Sequence, residues 1–267
     1  MIWYCIPSAR PWAQSTCAEW ERRGYGLALW RDPEPGGLPP DVYCDVRRGT
    51  ILIVGKYQGY AAAVNALIEI ALRNDRSCQW VVTGGDDVMP DQNCTPEQIA
   101  AECSAHFGLL RSSLPESGPP WKPEAYNHPT FGVMQPTGDR WGDDPMARAQ
   151  WPGAPAYIDR VAGSPWIGRE FAETINGGRG PIWHEYKHMF EDEELQEVAK
   201  KLGVFQQRRD LTHYHKHWMR DNNGDSSQMP EFLREVSSQA HWEESQNLFR
   251  MRKAGGFPGH QIKERQV

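Results

Sequence analysis

Short apolar runs alternate with amphipathic stretches along the N-terminal third of the chain. The apolar runs predict four buried strands, at 1–6, 25–30, 50–54 and 79–82. Between them, an amphipathic pattern over 13–23 that ends at Gly24 and an Ala-rich pattern up to about Leu72 predict helices. This alternation predicts an α/β fold with a mainly parallel, Rossmann-type sheet flanked by helices. Ligands bind such sheets at the carboxyl ends of the strands, so the loops that leave these strands are the candidate site.

The second half of the chain is less regular. A helix is predicted to begin at Thr95, where Thr, Pro and Glu supply a cap, a first-turn proline and an acidic first turn. The further predicted elements are a loop at 112–129, a strand at 130–135, helices at 165–175 and 192–202, a strand at 204–207 and a basic helix near 242–253. We expect residues 1–218 to form one catalytic domain and the polar residues 219–267 to form a helical, loose C-terminal extension.

Composition narrows the class of protein. A chain of 267 residues with a net charge of −6 is an ordinary globular enzyme in size, and its charge still permits a local basic groove for nucleic acid. The six Cys form no CxxC pair. No signal peptide is visible, and no apolar run is long enough to span a membrane. Together these features predict a soluble cytoplasmic protein with no membrane partner. The 12 Trp either stack on sugars or bases or wedge loops onto the core.

The segment Gly84-Gly85-Asp86-Asp87 follows the fourth predicted strand directly. Two adjacent carboxylates at the exit of a buried strand need compensation by a cation or by water. Mg²⁺ and similar ions bind through one or two carboxylates and substrate phosphates, which favours a metal site here. The alternative is a turn made of Gly and Asp without a ligand.

Two further clusters carry candidate chemistry. Glu191 and Asp192 begin a predicted helix, where acidic residues are favoured by the helix dipole but where one carboxylate can also act as a general base. His213, His215 and His217 alternate on an extended segment, which puts three imidazoles on one face as candidate metal ligands or as a solvent-facing surface.

The order of these motifs resembles inverting glycosyltransferases of the GT-A fold. The matching stretches are Pro7-Ser8-Ala9-Arg10, Gly59 to Asn65, Gly85-Asp86-Asp87, Glu191-Asp192 and the run from His213 to His217. The resemblance covers about residues 1–218, with a nucleotide-sugar-binding half at 1–110 and an acceptor half at 130–218. It departs from the family at Gly85, which stands where the Asp-x-Asp motif has its first Asp.

The resemblance implies roles for particular residues. The donor is a UDP-sugar, and the metal ion is Mn²⁺ or Mg²⁺, held by Asp87 and His215. Asp192, with Glu191, is the general base that activates the acceptor hydroxyl. The residues implied in nucleotide-sugar binding are Pro7, Ser8, Arg10, Asp32, Gly59, Asn65, Gly85 and Asp86. Trp166, Gly168 and Arg169 are expected to shape the sugar and acceptor pocket, although a structural ion pair is the alternative for Arg169.

The segments 130–140 and 163–169 resemble glycosyltransferases encoded by tailed bacteriophages. This resemblance implies that the acceptor is a 5-hydroxymethylpyrimidine in DNA and that the protein works in the host cytoplasm; a surface saccharide or lipid-linked glycan is the alternative. Lysines and arginines that could face DNA are concentrated in the second half: Lys200, Lys201, Arg208, Arg209, Lys216, Arg220, Arg250, Arg252 and Lys253. A nucleotidyltransferase and a non-catalytic nucleotide-sugar-binding module are the rival functions.

Overall fold

An eight-stranded mixed sheet lies at the centre of the fold. The computed structural model describes residues 1–8, 13–34, 36–112, 128–139, 163–216, 234 and 238–260. The strands are β1 (Trp3–Pro7), β2 (Gly26–Arg31), β3 (Asp41–Asp45), β4 (Thr50–Val54), β5 (Trp80–Thr83), β6 (Val88–Met89), β7 (Val133–Pro136), β8 (Trp166–Gly168), β9 (Phe205–Arg208) and β10 (Tyr214–His215). Eight of them are ordered β3-β4-β2-β1-β5-β8-β7-β9, and β6 pairs with β10 separately.

Most neighbouring strands of the large sheet are parallel. Strands β4, β2, β1 and β5 run side by side in one direction. At one edge β3 is antiparallel to β4, and β8 is antiparallel to both β5 and β7. Because β7 and β9 are parallel to each other, both point in the direction of β5 again. The prediction of a mixed α/β fold with a mainly parallel sheet is therefore confirmed.

Helices flank this sheet and connect its strands. The described helices are α1 (Ala13–Arg22), α2 (Tyr60–Asn74), α3 (Pro96–Ser112), α4 (Arg169–Thr174), α5 (Glu191–Lys201) and α6 (Gln239–Ala254). Helix α2 packs on β1 and β2, and α1 packs on β2. Within the described ranges, no helix combines the length and the apolar character that crossing a membrane requires.

The core is built around the two central strands β1 and β5. Residues 3–6 and 80–82 are 0% exposed, as expected for parallel strands that are covered on both faces. Trp3, Trp20, Trp80 and Trp166 are fully buried, and the ring of Trp20 stacks on Tyr4 with centroids 3.8 Å apart. These four tryptophans therefore pack in the core, which is the second of the two alternatives considered for them.

The predicted elements agree with the structure except in the short antiparallel strands. The four N-terminal strands, the helices at 13–23, 60–72, 95 onward and 192–202, and the strand at 204–207 are present within one to three residues of the predicted bounds. The predicted helix at 165–175 is wrong in its first part, because Trp166–Gly168 is strand β8 and only Arg169–Thr174 is helical. The basic helix near 242–253 is confirmed as α6, and most of the predicted loop at 112–129 lies outside the described residues.

The prediction that Trp166, Gly168 and Arg169 line a pocket is wrong. Trp166 is 0% exposed, and a Cβ atom at Gly168 would lie 1.9 Å from the carbonyl oxygen of Thr130, so both are packed in the interior. Gly168 pairs with Trp80 at the start of β5, which places it and Arg169 at the sheet edge opposite to Thr83.

Arg169 joins helix α4 to the connection between α2 and β5 at that edge. Its guanidinium donates to the backbone carbonyls of Cys78 at 2.6 Å, Asp75 at 2.6 Å and Leu72 at 3.0 Å, and it pairs with Glu173 at 2.6 Å. Arg169 therefore forms a structural ion pair, which was the alternative to a role in the pocket.

Arg169→Met should destabilise the fold because it leaves three buried carbonyls without their charged donor. We expect a loss of about 3 kcal/mol or more in the free energy of unfolding, measured by urea denaturation. The control is Arg73→Met, which changes an exposed side chain paired with Glu69 at 3.6 Å and should alter stability by less than about 0.5 kcal/mol. Equal losses in the two variants would contradict this assignment.

Candidate active site

The acidic loop after β5 lies beside the end of β1. The hydroxyl of Ser8 donates to Asp86 Oδ2 at 3.1 Å, and the Tyr4 hydroxyl donates to the backbone carbonyl of Gly85. Asp86 is 3% exposed and Asp87 is 8% exposed. Carboxylates that are buried to this degree require polar or cationic partners. The structure thus brings together the predicted nucleotide-binding residue Ser8 and the predicted acidic loop.

Asp87 faces His215 across the small β6–β10 sheet. His215 Nε2 lies 3.2 Å from Asp87 Oδ1, and His215 pairs in register with Val88. The backbone of the same segment is held at both ends, because Lys216 N donates to Asp87 O at 2.7 Å and Thr212 N donates to the buried Asp91 at 2.8 Å. A carboxylate oxygen and an imidazole nitrogen are therefore held side by side.

His213 does not join this pair. It is 3% exposed, its Nδ1 lies 3.1 Å from the Ser164 hydroxyl, and its Nε2 accepts from Trp166 Nε1 at 3.4 Å. Burial lowers the pKa of His213 to about 4, so the ring is neutral. The expectation that alternate histidines share one face is wrong for His213, because its ring is enclosed in the core; His217 lies outside the described residues.

Gly85 allows Asp87 to turn back over the loop. A Cβ atom at Gly85 would lie 2.5 Å from Asp87 Oδ1, so any side chain at this position would displace the carboxylate from its present place. The backbone turn is closed by Val88 N, which donates to Gly85 O at 3.1 Å. The glycine that departs from the Asp-x-Asp motif is thus explained by the position of Asp87.

Tyr60 connects the acidic loop with the start of helix α5. Its hydroxyl lies 2.8 Å from Thr83 Oγ1 and donates to Gly84 O at 3.1 Å, while its backbone N–H donates to Lys187 O at 2.6 Å. Gly59 is required for the last contact, since its φ is +109° and a Cβ atom there would lie 2.8 Å from Lys187 O. Burial raises the pKa of the Tyr60 phenol, although the bond to Thr83 opposes the rise, and the charges of Glu191 and Asp192 add to it.

Glu191 and Asp192 form a carboxylate pair at the N-terminus of α5, with Glu191 buried and Asp192 partly exposed. Glu191 is 5% exposed, and its Oε2 has no hydrogen-bond partner among the described residues. Burial, followed by the charge of Asp192, raises the pKa of Glu191 well above its ordinary value. Burial also raises the pKa of the partly exposed Asp192 to about 6, while the bond from Glu193 N at 2.8 Å limits the rise. The ionised form of Glu191 is therefore disfavoured, and Asp192 is mostly ionised at neutral pH.

The residue before this pair has an unusual backbone. Phe190 adopts a left-handed conformation with φ +70°, which is costly for a residue other than glycine. Its ring packs against Phe249 and Trp242 of α6, with centroids 5.5 and 5.7 Å apart. The C-terminal helix thus helps to hold the chain in the conformation that presents the two carboxylates.

A buried ion pair fastens α6 to α5. Arg252 donates to Glu194 through Nε and Nη2 at 2.7 to 3.0 Å, and the two residues are 4% and 1% exposed. Tyr186 and His260 also bond to Glu194, each at 2.7 Å. Burial alone would raise the pKa of Glu194, but the bonds from His260, Arg252 and Tyr186 lower it below its ordinary value.

This contact changes the expected role of the basic residues. Arg252 is in the interior and cannot face DNA, because its guanidinium is occupied by Glu194 and lies 3.5 Å from the Trp183 ring centroid. Lys253 pairs with Glu197 at 3.1 Å, and Arg208 pairs with Asp210 at 2.6 Å and Glu102 at 2.8 Å. Three of the basic residues that the sequence suggested for DNA binding are therefore paired with carboxylates of the protein.

The remaining predicted residues have mixed placements. Pro7 ends β1, and Asp32 Oδ1 accepts from Tyr57 N at 2.8 Å, so both lie at the predicted edge of the sheet. Asn65 does not face this edge: its amide is used in two bonds to the backbone of Ile182, at 2.7 and 3.1 Å, so its predicted role in nucleotide binding is wrong. Arg10 lies outside the described residues.

Sequence reasoning missed the contribution of α6 to a cavity near the carboxylate pair. This cavity of about 260 Å³ is lined by Tyr57, Gln58, Gly59, Lys187, His188, His241, Glu244 and Ser245. Burial, followed by the charges of Glu191 and Asp32, raises the pKa of the Tyr57 phenol, which places this side chain close to the candidate base. The only signal in the sequence was Tyr57-Gln58-Gly59-Tyr60 after a predicted strand; nothing local indicated that α6 would cover it.

Comparison with known proteins gives no family. No protein-family model matches the chain, and no curated protein matches it significantly. Among the described residues, no group of three or more His, Cys, Asp or Glu side chains could hold a metal ion.

Asp192→Asn should stabilise the protein at neutral pH. Because the folded-state pKa of Asp192 is raised to about 6 from an ordinary value of 3.8, ionisation destabilises the fold above that pH, and the penalty is absent below the unfolded-state pKa. We expect a gain of about 1–3 kcal/mol at about pH 7.5 that disappears by about pH 3.5. Thermal unfolding at the two pH values measures it, with Asp41→Asn on the exposed strand β3 as the control. A loss of stability at neutral pH would contradict the raised pKa.

Proposed function

We propose that the protein is a metal-dependent, inverting glycosyltransferase of the GT-A type that transfers a sugar from a UDP-sugar to a hydroxyl group. The observation that supports this proposal is that two acidic clusters lie on either side of Tyr60, next to the carboxyl ends of the parallel strands. Asp87 with His215 forms one cluster, Glu191 with Asp192 forms the other, and Tyr60 touches the loop of the first while its phenol responds to the charge of the second. A glycosyl transfer needs both a site for the diphosphate and a base for the acceptor.

The donor set fits Mn²⁺ or Mg²⁺. These ions bind few protein ligands and complete their coordination with water and substrate phosphates, so one carboxylate and one imidazole are sufficient. Asp87 and His215 would hold the ion, which when bound would neutralise the charge that develops on the departing diphosphate. Asp86 is the candidate contact to the ribose or the sugar, with its orientation fixed by Ser8.

The chemistry assigned to Asp192 follows from its environment. A general base works best when its pKa lies near the working pH, and the pKa of Asp192 is raised to about 6. The acceptor hydroxyl gives its proton to Asp192 as its oxygen bonds to the anomeric carbon, and the bond from that carbon to the diphosphate breaks on the opposite face. Burial and the charge of Asp192 raise the pKa of Glu191 and disfavour its ionised form, so Asp192 rather than Glu191 is the proposed base.

The acceptor that we propose is a 5-hydroxymethylpyrimidine in DNA. Its support is the resemblance of segments 130–140 and 163–169 to phage-encoded glycosyltransferases. Arg208, Arg252 and Lys253 form ion pairs with carboxylates of the protein. Binding to DNA would therefore depend on other basic side chains, and Arg250 is one that is exposed. A surface saccharide or lipid-linked glycan is the alternative acceptor.

Asp87→Ala should abolish the Mn²⁺-dependent part of UDP affinity and leave the fold intact. Removing the carboxylate leaves His215 as a single protein ligand, which cannot hold the ion against water. Calorimetric titration of UDP with and without Mn²⁺ measures the effect. Asp41→Ala, which removes an exposed carboxylate from β3, is the control. An unchanged Mn²⁺-dependent increment in Asp87→Ala would remove this residue from the metal site.

Asp192→Asn should lower turnover by about 10²–10⁴-fold while UDP affinity stays unchanged, because the amide cannot accept a proton. Glu191→Gln should retain more activity, since burial raises the pKa of Glu191 and makes its ionised form the less favoured base. The measurement is the initial rate of UDP release at saturating UDP-sugar and acceptor. A drop of less than about tenfold in Asp192→Asn would show that another group is the base.

Transfer should require the acceptor hydroxyl. Oligonucleotides that carry 5-hydroxymethylcytosine should be glycosylated from at least one UDP-sugar, and matched oligonucleotides with cytosine should not, because cytosine offers no nucleophile at the 5-position. Mass spectrometry of the product detects the added hexose. Transfer to an oligosaccharide with none to the hydroxymethylated DNA would refute the DNA acceptor and leave the glycosyltransferase assignment standing.

A further inference from the structure

A second and larger cavity lies far from the carboxylate clusters. It has a volume of about 540 Å³ and runs along one face of α2 opposite the loop at 178–180. Arg73 and Arg76, near the C-terminal end of α2, contribute to its wall. This end of α2 leads into the start of β5, whereas Asp87 follows the end of β5. The cavity and the candidate active site are therefore at opposite edges of the sheet.

Two of the three arginines that line this cavity, Arg76 and Arg179, pair with no carboxylate of the described residues. Arg76 and Arg179 are both exposed, and neither forms a hydrogen bond or ion pair with a residue that the structure describes. The two acidic residues of the lining already have partners: Glu69 lies 3.6 Å from Arg73, and Glu173 lies 2.6 Å from Arg169. Two guanidinium groups thus remain available for a ligand, and guanidinium groups bind phosphate oxygens in bidentate geometry.

The loop that carries Arg179 has a left-handed backbone. Asn176, Gly177, Gly178 and Gly180 all have positive φ, at 57°, 67°, 80° and 100°. The amide of Asn176 fixes this loop by donating to Gly180 O at 2.9 Å and to Pro181 O at 3.3 Å. Left-handed backbone with glycines forms concave surfaces in which N–H groups can face an anion.

We propose that this arginine-lined cavity, with Arg76 and Arg179 as the charged ligands, binds a phosphate-bearing molecule. Its volume lies within the range of about 300–1,000 Å³ that is typical of small-molecule sites. The phosphate belongs either to a small phosphorylated compound or to the backbone of a nucleic acid, and the recognition chemistry is the same for both. The inference is independent of the proposed glycosyl transfer, since it uses no residue of the candidate active site.

The test compares Arg76→Ala/Arg179→Ala with the wild-type protein in a buffer that contains a chelator, so that no metal-dependent site contributes. The first probe is inorganic pyrophosphate, titrated by calorimetry at low salt. The second is a short duplex DNA, whose affinity is measured over a range of salt concentrations. The control is Arg47→Ala/Arg48→Ala, which removes the same charge from two exposed residues outside the cavity. Circular dichroism melting checks that both double variants fold.

If a small phosphorylated compound is the ligand, pyrophosphate should bind to the wild-type and control proteins and at least about tenfold more weakly to the cavity variant. If nucleic acid is the ligand, the cavity variant should lose about two units from the slope of log affinity against log salt, and the control should lose less. Equal behaviour of the two double variants with both probes, or no binding of either probe to the wild-type protein, would overturn the proposal. Asp87→Ala should leave both measurements unchanged, so failure of the proposed transferase activity would not affect them.

Discussion

The common direction of strands β4, β2, β1 and β5 is the constraint on which the candidate site depends. Parallel neighbours cannot be joined by tight turns, so the chain returns through α1 between β1 and β2, through the antiparallel strand β3 between β2 and β4, and through α2 between β4 and β5. As a consequence Ser8, Asp32, Tyr57 and Asp86 all follow the ends of strands and meet at one edge. The antiparallel insertion of β8 next to β5 places Arg169 at the other edge, where it serves only to join chain segments.

Buried carboxylates are treated in three different ways in this molecule. Glu194 is fully compensated by Arg252, Tyr186 and His260, and its pKa is lowered, which is the arrangement expected of a structural ion pair. Asp87 has one imidazole beside it. Glu191 and Asp192 have backbone donors and each other, and their pKa values are raised. Since perturbed and poorly compensated groups concentrate at functional sites, the contrast with Glu194 within one helix is the reason to assign chemistry to Glu191 and Asp192.

The sequence predicted those parts of the structure that depend on local pattern. The four parallel strands were found because each is a continuous apolar run, and α5 was found from its acidic start and its terminal Gly203. Strand β8 was not found, because Trp-Ile-Gly is three residues long and its apolar pattern continues into α4; its identity as a strand is fixed by pairing with the distant β5 and β7. Asp87 and His215 were predicted together, but only from the order of motifs.

Side-chain direction was the main limit on predicting the site. Four side chains of types that suit binding or catalysis lie in the interior instead. Each is hydrogen-bonded to a partner far away in the sequence: Arg169, Arg252, Asn65 and His213. No local feature distinguishes such a residue from an accessible one. The role of α6 was missed for the same reason. Arg252 pairs with Glu194 and Phe249 packs against Phe190, and both partners lie far away in the sequence.

The central claim is that Asp87 with His215 and Glu191 with Asp192 belong to a single site. The most direct measurement is paramagnetic broadening of backbone amide signals by Mn²⁺ in the presence of UDP, with Mg²⁺ as the diamagnetic reference. The account predicts strong broadening at Asp87 and His215, clear broadening at Glu191 and Asp192, and little at Gly168 and Arg169 on the opposite edge of the sheet. Broadening at Asp87 and His215 with none at Glu191 and Asp192, or broadening centred on the opposite edge, would contradict it.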